Sequence, residues 1–187
     1  KIHYTLSSLK ELQKLGDKYN DYFNHPVDKD VLTGTFTTGG KDSLELHLSD
    51  FPSGAYLLTF NGDGEDKKIT TCQVIYLYSL QDKRPPYQTY NWIVEEKTQC
   101  FPGENAEILF GTSAKEIYML YEIYTNGQFV ERKRFIMSDE NIRFSIPYLD
   151  SYGKTADVLI SYVKNGEFFQ NKITLSRKQE SKHLNII

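Results

Sequence analysis

Most of the chain consists of short apolar or alternating runs separated by turn residues, a pattern typical of β-strands. In the first half, this pattern predicts strands at residues 31–37, 44–48, 55–60 and 69–78. In the second half, it predicts strands at about 90–94, 106–110, 117–124, 128–137, 142–146, 158–163 and 168–175, with a further strand beginning at 184–187. The chain is therefore expected to be an all-β protein of antiparallel sheets.

Two Asn-Gly pairs, Asn126-Gly127 and Asn165-Gly166, lie between such runs. Asn-Gly favours a two-residue hairpin turn, because a type I′ turn needs positive φ at both central residues. The run at 117–124 is apolar on both faces, which predicts a central strand of its sheet.

One segment has the period of a helix. Apolar residues recur at steps of three and four between residues 7 and 23, and they are Leu9, Leu12, Leu15, Tyr19, Tyr22 and Phe23. Ser8 and Glu11 have the spacing of a capping box. Asn24, His25 and Pro26 would end the helix, because the residue before a proline avoids the helical region. We therefore expect a short N-terminal helix at about 7–23.

A polar, charged segment with two prolines, residues 81–86, is interpreted as a linker. It predicts two domains, 1–84 and 85–187. The second shows about seven short strands at regular spacing, as in an immunoglobulin-like sandwich. The first shows about four strands and the helix, too few strands to close a two-sheet sandwich. We expect this first unit to be incomplete at its N-terminus, or its sheet to lean on the helix.

Composition narrows the classes of partner. The formal net charge is −3, from 22 basic and 25 acidic residues. The most basic stretch, 132–134, follows Glu131 and is expected to be a solvated strand face, so no nucleic-acid partner is predicted. No apolar run reaches the roughly 18 residues that span a bilayer, so no membrane span is expected. The chain begins at Lys1 without an initiator Met, and we expect it to be a piece of a larger protein.

The two cysteines, Cys72 and Cys100, both lie beside strand-like segments. They could form one disulfide, although 27 residues and a Pro-Pro junction separate them. Two isolated buried thiols are the favoured interpretation.

No residue set points clearly to metal or catalytic chemistry. The four histidines, His3, His25, His47 and His183, lack metal-ligand spacing and are expected on the surface. The sequence contains no nucleophile elbow and no phosphate-binding glycine motif. Glu95 and Glu96 are adjacent, so on a regular strand they face opposite sides and cannot act as a catalytic pair.

Three hairpin residues, Asn61, Asp63 and Glu65, have the spacing that begins a calcium loop. Asp66 and Cys72 stand where such a loop requires glycine and a bidentate glutamate, so a polar hairpin tip is favoured. We therefore predict no catalytic, cofactor-binding or metal-ligating residue, no cofactor, and no enzymatic activity.

Four aromatic residues are candidates for an exposed patch that binds sugars or peptides: Tyr118, Tyr124, Phe168 and Phe169. The alternative, which we favour, is that they fill the core or an interdomain contact. An exposed aromatic strip or a groove would favour the binding patch.

Several stretches, taken in order, resemble consecutive macroglobulin-like domains of bacterial alpha-2-macroglobulin family proteins. They are residues 31–39, 53–58 before a hairpin, 77–86, 101–113 with its Pro-Gly-Glu turn, and 162–166 before the basic pair Arg177-Lys178. The helix at 7–23 looks like an insertion in the first of these domains. The resemblance implies two tandem macroglobulin-type sandwiches in a larger protein at the cell surface or in the periplasm.

Members of that family trap proteases by cleavage of a bait segment and, in some, through a thioester. Neither the sequence after Cys72 nor that after Cys100 matches the thioester motif, so no functional residue of the family carries over. The resemblance implies a non-catalytic structural and interaction framework, with neighbouring domains and a trapped protease as partners. The rivals are an extracytoplasmic carbohydrate- or peptide-binding module, a hydrolase with a site that the sequence does not reveal, and an adhesion or transport accessory domain.

Overall fold

The computed structural model describes residues 1–11, 26–37, 44–63 and 68–179. These residues form twelve β-strands and one 3₁₀ turn at Asp150–Tyr152, and the described part of the chain contains no other helix. The predicted all-β class is therefore confirmed. Tertiary contacts divide the chain into two compact units, Lys1–Thr89 and Tyr90–Ile187. The expected linker at 81–86 contains no strand and falls at the end of the first unit.

The first unit is built on one antiparallel sheet. Its strands are β1 (Ile2–Leu9), β2 (Val27–Phe36), β3 (Gly54–Asp63) and β4 (Lys68–Leu77), in the order β2-β1-β3-β4. Leu6 and Tyr56 are buried at its centre, and the rings of Phe36 and Phe60 meet edge to face at 6.2 Å. Apolar side chains from three strands thus share one face of the sheet.

The helix predicted at 7–23 is wrong where the structure describes it. Residues 7–9 belong to β1, where Ser7 pairs with Asp30 of β2 and Ser8 pairs with Tyr56 of β3. Residues 12–23 of the prediction lie outside the described residues. Pairing with strands on both sides overrides the local capping-box pattern. The alternation of Ile2, Tyr4 and Leu6 with polar residues was the signal for the strand.

The strand predicted at 44–48 is also wrong. Its exposure does alternate, with Glu45 and His47 exposed and the leucines between them half-buried. However, these residues join no sheet. An alternating pattern indicates an extended backbone with one side covered. It does not show that another strand lies beside it to form a sheet.

Between Tyr90 and residue 179, where the structure describes it, the second unit contains eight strands. They are β5 (Trp92–Lys97), β6 (Gln99–Cys100), β7 (Asn105–Thr112), β8 (Ile117–Thr125), β9 (Gln128–Met137), β10 (Glu140–Pro147), β11 (Thr155–Lys164) and β12 (Glu167–Arg177). One sheet has the order β10-β7-β5 and the other has the order β6-β12-β11-β8-β9. All pairings are antiparallel except that between β6 and β12.

The two sheets of this unit pack face to face around an aromatic core. The ring of Tyr121 on β8 stacks on Phe144 of β10 at 5.1 Å, and Phe110 of β7 meets Tyr162 of β11 edge to face at 5.9 Å. Each of these pairs joins the three-stranded sheet to the five-stranded sheet. The second unit is therefore a β-sandwich, held by rings from both inner faces.

Both predicted Asn-Gly hairpins are present in this unit. Asn126 and Gly127 have φ of 48° and 75°, and Asn165 and Gly166 have φ of 52° and 81°. These are the two successive positive values that a type I′ turn needs. The first turn connects β8 to β9 and the second connects β11 to β12. The strand expected at 184–187 lies outside the described residues.

Candidate functional site

Four large apolar side chains line up across the outer face of the five-stranded sheet, which we name the apolar row: Phe168, Val163, Tyr118 and Ile136. Phe168 pairs with Val163 between β12 and β11, and Tyr118 pairs with Ile136 between β8 and β9. Met119 pairs with Tyr162 between β8 and β11, so Tyr118 comes opposite Val163 one step further along. With strands about 4.8 Å apart, the row is about 15 Å long.

The four side chains are among the most exposed large apolar groups of the described residues. Phe168 is 64% exposed, Val163 60%, Tyr118 73% and Ile136 67%. Since a fully exposed aromatic side chain presents roughly 200 Å² of surface, the row presents on the order of 400–500 Å². Isolated exposed apolar residues need no explanation, but a contiguous patch of this size on a soluble domain is often a binding surface.

The row arises because β8 and β11 carry apolar residues on both of their faces. On β8, Ile117, Met119 and Tyr121 point into the core and are buried, while Tyr118 points outward. The run at 117–124 was expected to be a central strand, and β8 does lie between β11 and β9 in its sheet. Its outward side chain Tyr118 is nevertheless exposed.

Away from the row, this outer face mixes polar and charged groups with further apolar ones such as Leu120. The second row, by register, consists of Gln170, Ser161, Leu120 and Arg134. Ser161 is buried at its centre. Arg134 is exposed and has no ion-pair partner among the residues that the structure describes. One uncompensated cation therefore flanks the Ile136 end of the apolar row.

Two ion pairs hold the far part of the face. The guanidinium of Arg132 donates from Nε to Glu122 Oε1 at 2.7 Å, and Glu122 is buried although it lies on the outer face. Lys172 Nζ lies 2.9 Å from Asp157 Oδ2, and Thr174 donates to Asp157 Oδ1 at 2.8 Å. Partial burial acts to raise the pKa of Asp157, but the bonds from Lys172 and Thr174 outweigh it and hold the pKa below its usual value.

Two of the four aromatic candidates named from the sequence, Tyr118 and Phe168, lie in the apolar row. Tyr124 is only half-exposed and meets the ring of Phe129 at 5.8 Å, further along the same face. Phe169 points the other way and stacks on Tyr162 at 4.9 Å. Val163 and Ile136 were missed, because only the register between strands brings residues so distant in sequence into one row.

The remaining candidates are dispersed. His3 lies on β1 and His47 in a loop, both exposed, while His25 and His183 are outside the described residues. Asn61 Oδ1 accepts a hydrogen bond from Thr70 at 2.7 Å, and Glu65 and Asp66 fall in an undescribed segment. In the described ranges, no group of three or more His, Cys, Asp or Glu residues is arranged to hold a metal ion.

The adjacent acids Glu95 and Glu96 do not follow the alternation expected of a regular strand. The register of β5 shifts between Glu95 and Lys97, and both acids line one shallow groove of about 410 Å³. Glu96 is bound by Arg143, whose Nη2 lies 2.6 Å from Glu96 Oε2 and whose Nε lies 3.3 Å from Glu107. This contact makes Glu96 a structural partner of β10 rather than half of an acid–base pair.

A second groove, of about 1160 Å³, lies beside the end of β12 and has basic walls that include Lys154, Arg177 and Lys178. Arg177 pairs with Asp150 at 3.0 Å, and the ammonium of Lys178 lies over the ring of Phe101 at 5.3 Å. Two of these three cations are thus already engaged within the unit.

The two cysteines are not joined by a disulfide. Cys72 is half-buried on β4, and Cys100 is fully buried on β6. Burial raises the pKa of the Cys100 thiol, with smaller opposing and reinforcing effects of Lys97 and of Glu104 and Glu107. A thiol held protonated in this way is a poor nucleophile.

Comparison with known proteins gives no family for the chain: no protein-family model and no curated protein matches it significantly. Nor does the described part of the chain include a helix that is long and apolar enough to cross a membrane.

Proposed function

We propose that the chain is a non-catalytic protein-binding module whose contact surface is the apolar row of the second unit. The observation that carries this proposal is the alignment of four exposed apolar side chains on four adjacent strands. Binding-site centres are typically apolar with a polar rim, and arginine is more frequent in interfaces than on the rest of the protein surface. The second row, with Gln170 and Arg134, supplies such a rim on one side.

A protein fits this row better than a sugar does. Sugars stack on flat aromatic rings, but the two rings of the row, Phe168 and Tyr118, are separated by the branched side chain of Val163. Branched aliphatic and aromatic groups together suit the side chains of another protein.

The proposed binding surface is the outer face of the five-stranded sheet and not its edge. β9 is an edge strand, and other proteins can add a strand to such an edge. However, residues 131–134 on β9 are all charged, and the register is irregular opposite the step from Ile123 to Tyr124. Charges and bulges are the usual means by which an edge is protected from strand addition.

The strand order supports an immunoglobulin-like assignment for the second unit. The five-stranded sheet places the last two strands beside β8 and β9, as in sandwiches in which strands G, F, C and C′ share a sheet. β5, β7 and β10 then take the places of strands A, B and E. The disulfide of antibody domains has no counterpart here, since the two cysteines are unbridged.

The macroglobulin-type framework predicted from the sequence is one setting for such a module. Its support is the sequence resemblance and the sandwich architecture of the second unit. In that setting, the apolar row would pack against a neighbouring domain of a larger extracytoplasmic protein. An immunoblot of source cells tests this: a band several-fold larger than 21.7 kDa is expected, and a band near 21.7 kDa would contradict it.

Selection from a random peptide display library, in parallel with a panel of glycans, tests the binding proposal itself. We expect the selected peptides to be rich in apolar residues and to lose at least tenfold in affinity for Tyr118→Ser. Ile69→Ser is the matched control, because Ile69 is 63% exposed but lies on β4 of the first unit. Peptides whose binding ignores Tyr118 would refute the proposal. Glycan binding that depends on Tyr118 would favour a carbohydrate module instead.

A further inference from the structure

The apolar row has an internal order that bears on what covers it. Along the row, aromatic and aliphatic side chains alternate as Phe168, Val163, Tyr118 and Ile136. If two such rows face each other in opposite directions, Phe168 lies on Ile136 of the other copy and Val163 lies on Tyr118. Every ring then packs on an aliphatic group. From this self-complementarity we propose that a second copy of this chain occupies the row, related by a two-fold axis parallel to the strands.

The second row fits the same arrangement. The two-fold axis places Leu120 opposite Ser161 of the other copy, so a large side chain meets a small, buried one. It also places Arg134 opposite Gln170, whose amide oxygen can accept a hydrogen bond from the guanidinium. The uncompensated cation of the face therefore gains a polar partner and meets no like charge in these two rows.

The third row, which by register consists of Lys172, Leu159, Glu122 and Arg132, limits the contact. There the axis would bring Arg132 towards Lys172 of the other copy, and like charges oppose close approach. Each is already paired within its own chain, to Glu122 and Asp157 respectively. We therefore place the interface over the first two rows and the turns beside them.

The available area suggests a weak but specific dimer. A standard interface buries about 800 Å² per partner, and the apolar row supplies on the order of 400–500 Å² of this. The second row and its rim supply the rest only in part. We expect dissociation constants of about 10–100 µM.

This inference rests on the proposed binding function, and sedimentation equilibrium over about 5–500 µM separates the two. We expect the wild-type mass to rise from 21.7 kDa towards twice that value as concentration increases. The double variant Tyr118→Ser, Val163→Ser should stay monomeric with an unchanged thermal midpoint, and Ile69→Ser should associate like wild type. A wild type that stays monomeric throughout would overturn the dimer, while row-dependent peptide binding would leave the proposed function standing.

Thiol cross-linking tests the direction of the two rows. In a Cys72→Ser background, Ile136→Cys and Phe168→Cys are prepared separately, mixed, and treated with a short bismaleimide. Facing sheets are about 10 Å apart, so the mixture should cross-link while each variant alone should not, because identical residues lie at opposite ends of the row. Efficient cross-linking of either variant with itself, or no cross-linked product in the mixture, would overturn the arrangement.

Discussion

The two faces of the five-stranded sheet carry similar side chains in opposite environments. Tyr121 on the inner face is 2% exposed, and Tyr118, three residues earlier on the same strand, is 73% exposed. Ile160 and Val163 on β11 differ in the same way. The inner face gains its stability from the rings of the opposite sheet, whereas the side chains of the apolar row remain largely exposed. The same apolar chemistry therefore stabilises the sandwich on one side of the sheet and forms a solvent-facing surface on the other.

The largest expected effect separates the two tyrosines of β8. Tyr121→Ala should lower the free energy of unfolding by about 3–5 kcal/mol, because it removes a ring stacked on Phe144 and leaves a cavity. Tyr118→Ala should change it by less than about 0.5 kcal/mol. Urea denaturation of both variants measures the difference. Equal losses would show that the row is a second core and not a surface.

The next effect concerns Glu122, which lies on the outer face yet is buried. Glu122→Ala leaves Arg132 without the carboxylate oxygen that its Nε and Nη2 both contact, and we expect the free energy of unfolding from urea denaturation to fall by about 1–3 kcal/mol. Glu131→Ala is the matched control, because Glu131 pairs with Lys133 in an exposed position and should cost less than about 1 kcal/mol. If both variants are neutral, the far part of the outer face contributes no more to stability than the apolar row does.

A third effect appears at high pH and concerns the buried phenol of Tyr121 on the inner face. Burial raises the pKa of Tyr121 well above 10.0. The folded state then holds this proton when the unfolded chain has lost it. The stability that the buried phenol contributes is therefore fully present below the pKa of tyrosine in the unfolded chain. The free energy of unfolding falls as the pH rises above about 10, with a slope that corresponds to about one proton per buried phenol.

Chemical denaturation between about pH 9 and 11 measures this slope. Tyr121→Phe should flatten it by about one proton. An unchanged slope in this variant would contradict the burial of the Tyr121 phenol in the inner face.

The sequence was sufficient for features that depend on neighbours along the chain. The all-β class follows from short runs and turns, and the two hairpins follow from the φ requirement that Asn-Gly meets at 126–127 and 165–166. The short strand β6 was missed, because two residues are too few to show alternation. The helix expected at 7–23 failed at residues 7–9 because sheet pairing outweighs a capping motif.

The candidate site depended on information that no local pattern contains. Periodicity marks Tyr118 as opposite in direction to Tyr121, but it does not say which face the second sheet covers. The row also needs three registers at once, which join residues up to 50 positions apart, from Tyr118 to Phe168. Tyr118 and Phe168 could be named as aromatic candidates, yet their alignment with Val163 and Ile136 comes from the topology.

The smallest effect that we predict tests the charged end of the outer face at low pH. Hydrogen bonds from Lys172 and Thr174 outweigh partial burial and hold the pKa of Asp157 below its ordinary value of 3.8. The stability that this carboxylate contributes is therefore present above about pH 4 and is lost as the pH falls through the lower, folded-state pKa.

Carbon-detected NMR titration of the Asp157 carboxyl measures that pKa directly. Lys172→Met should raise the pKa of Asp157. Asp157→Asn should reduce the loss of stability below about pH 4 by less than about 1 kcal/mol, because Lys172 and Asp157 are both partly solvated. A pKa for Asp157 at or above 3.8 in the wild type would mean that the far end of the face is not held by this ion pair. In that case the apolar row would be the part of the outer face for which the structure gives a physical role.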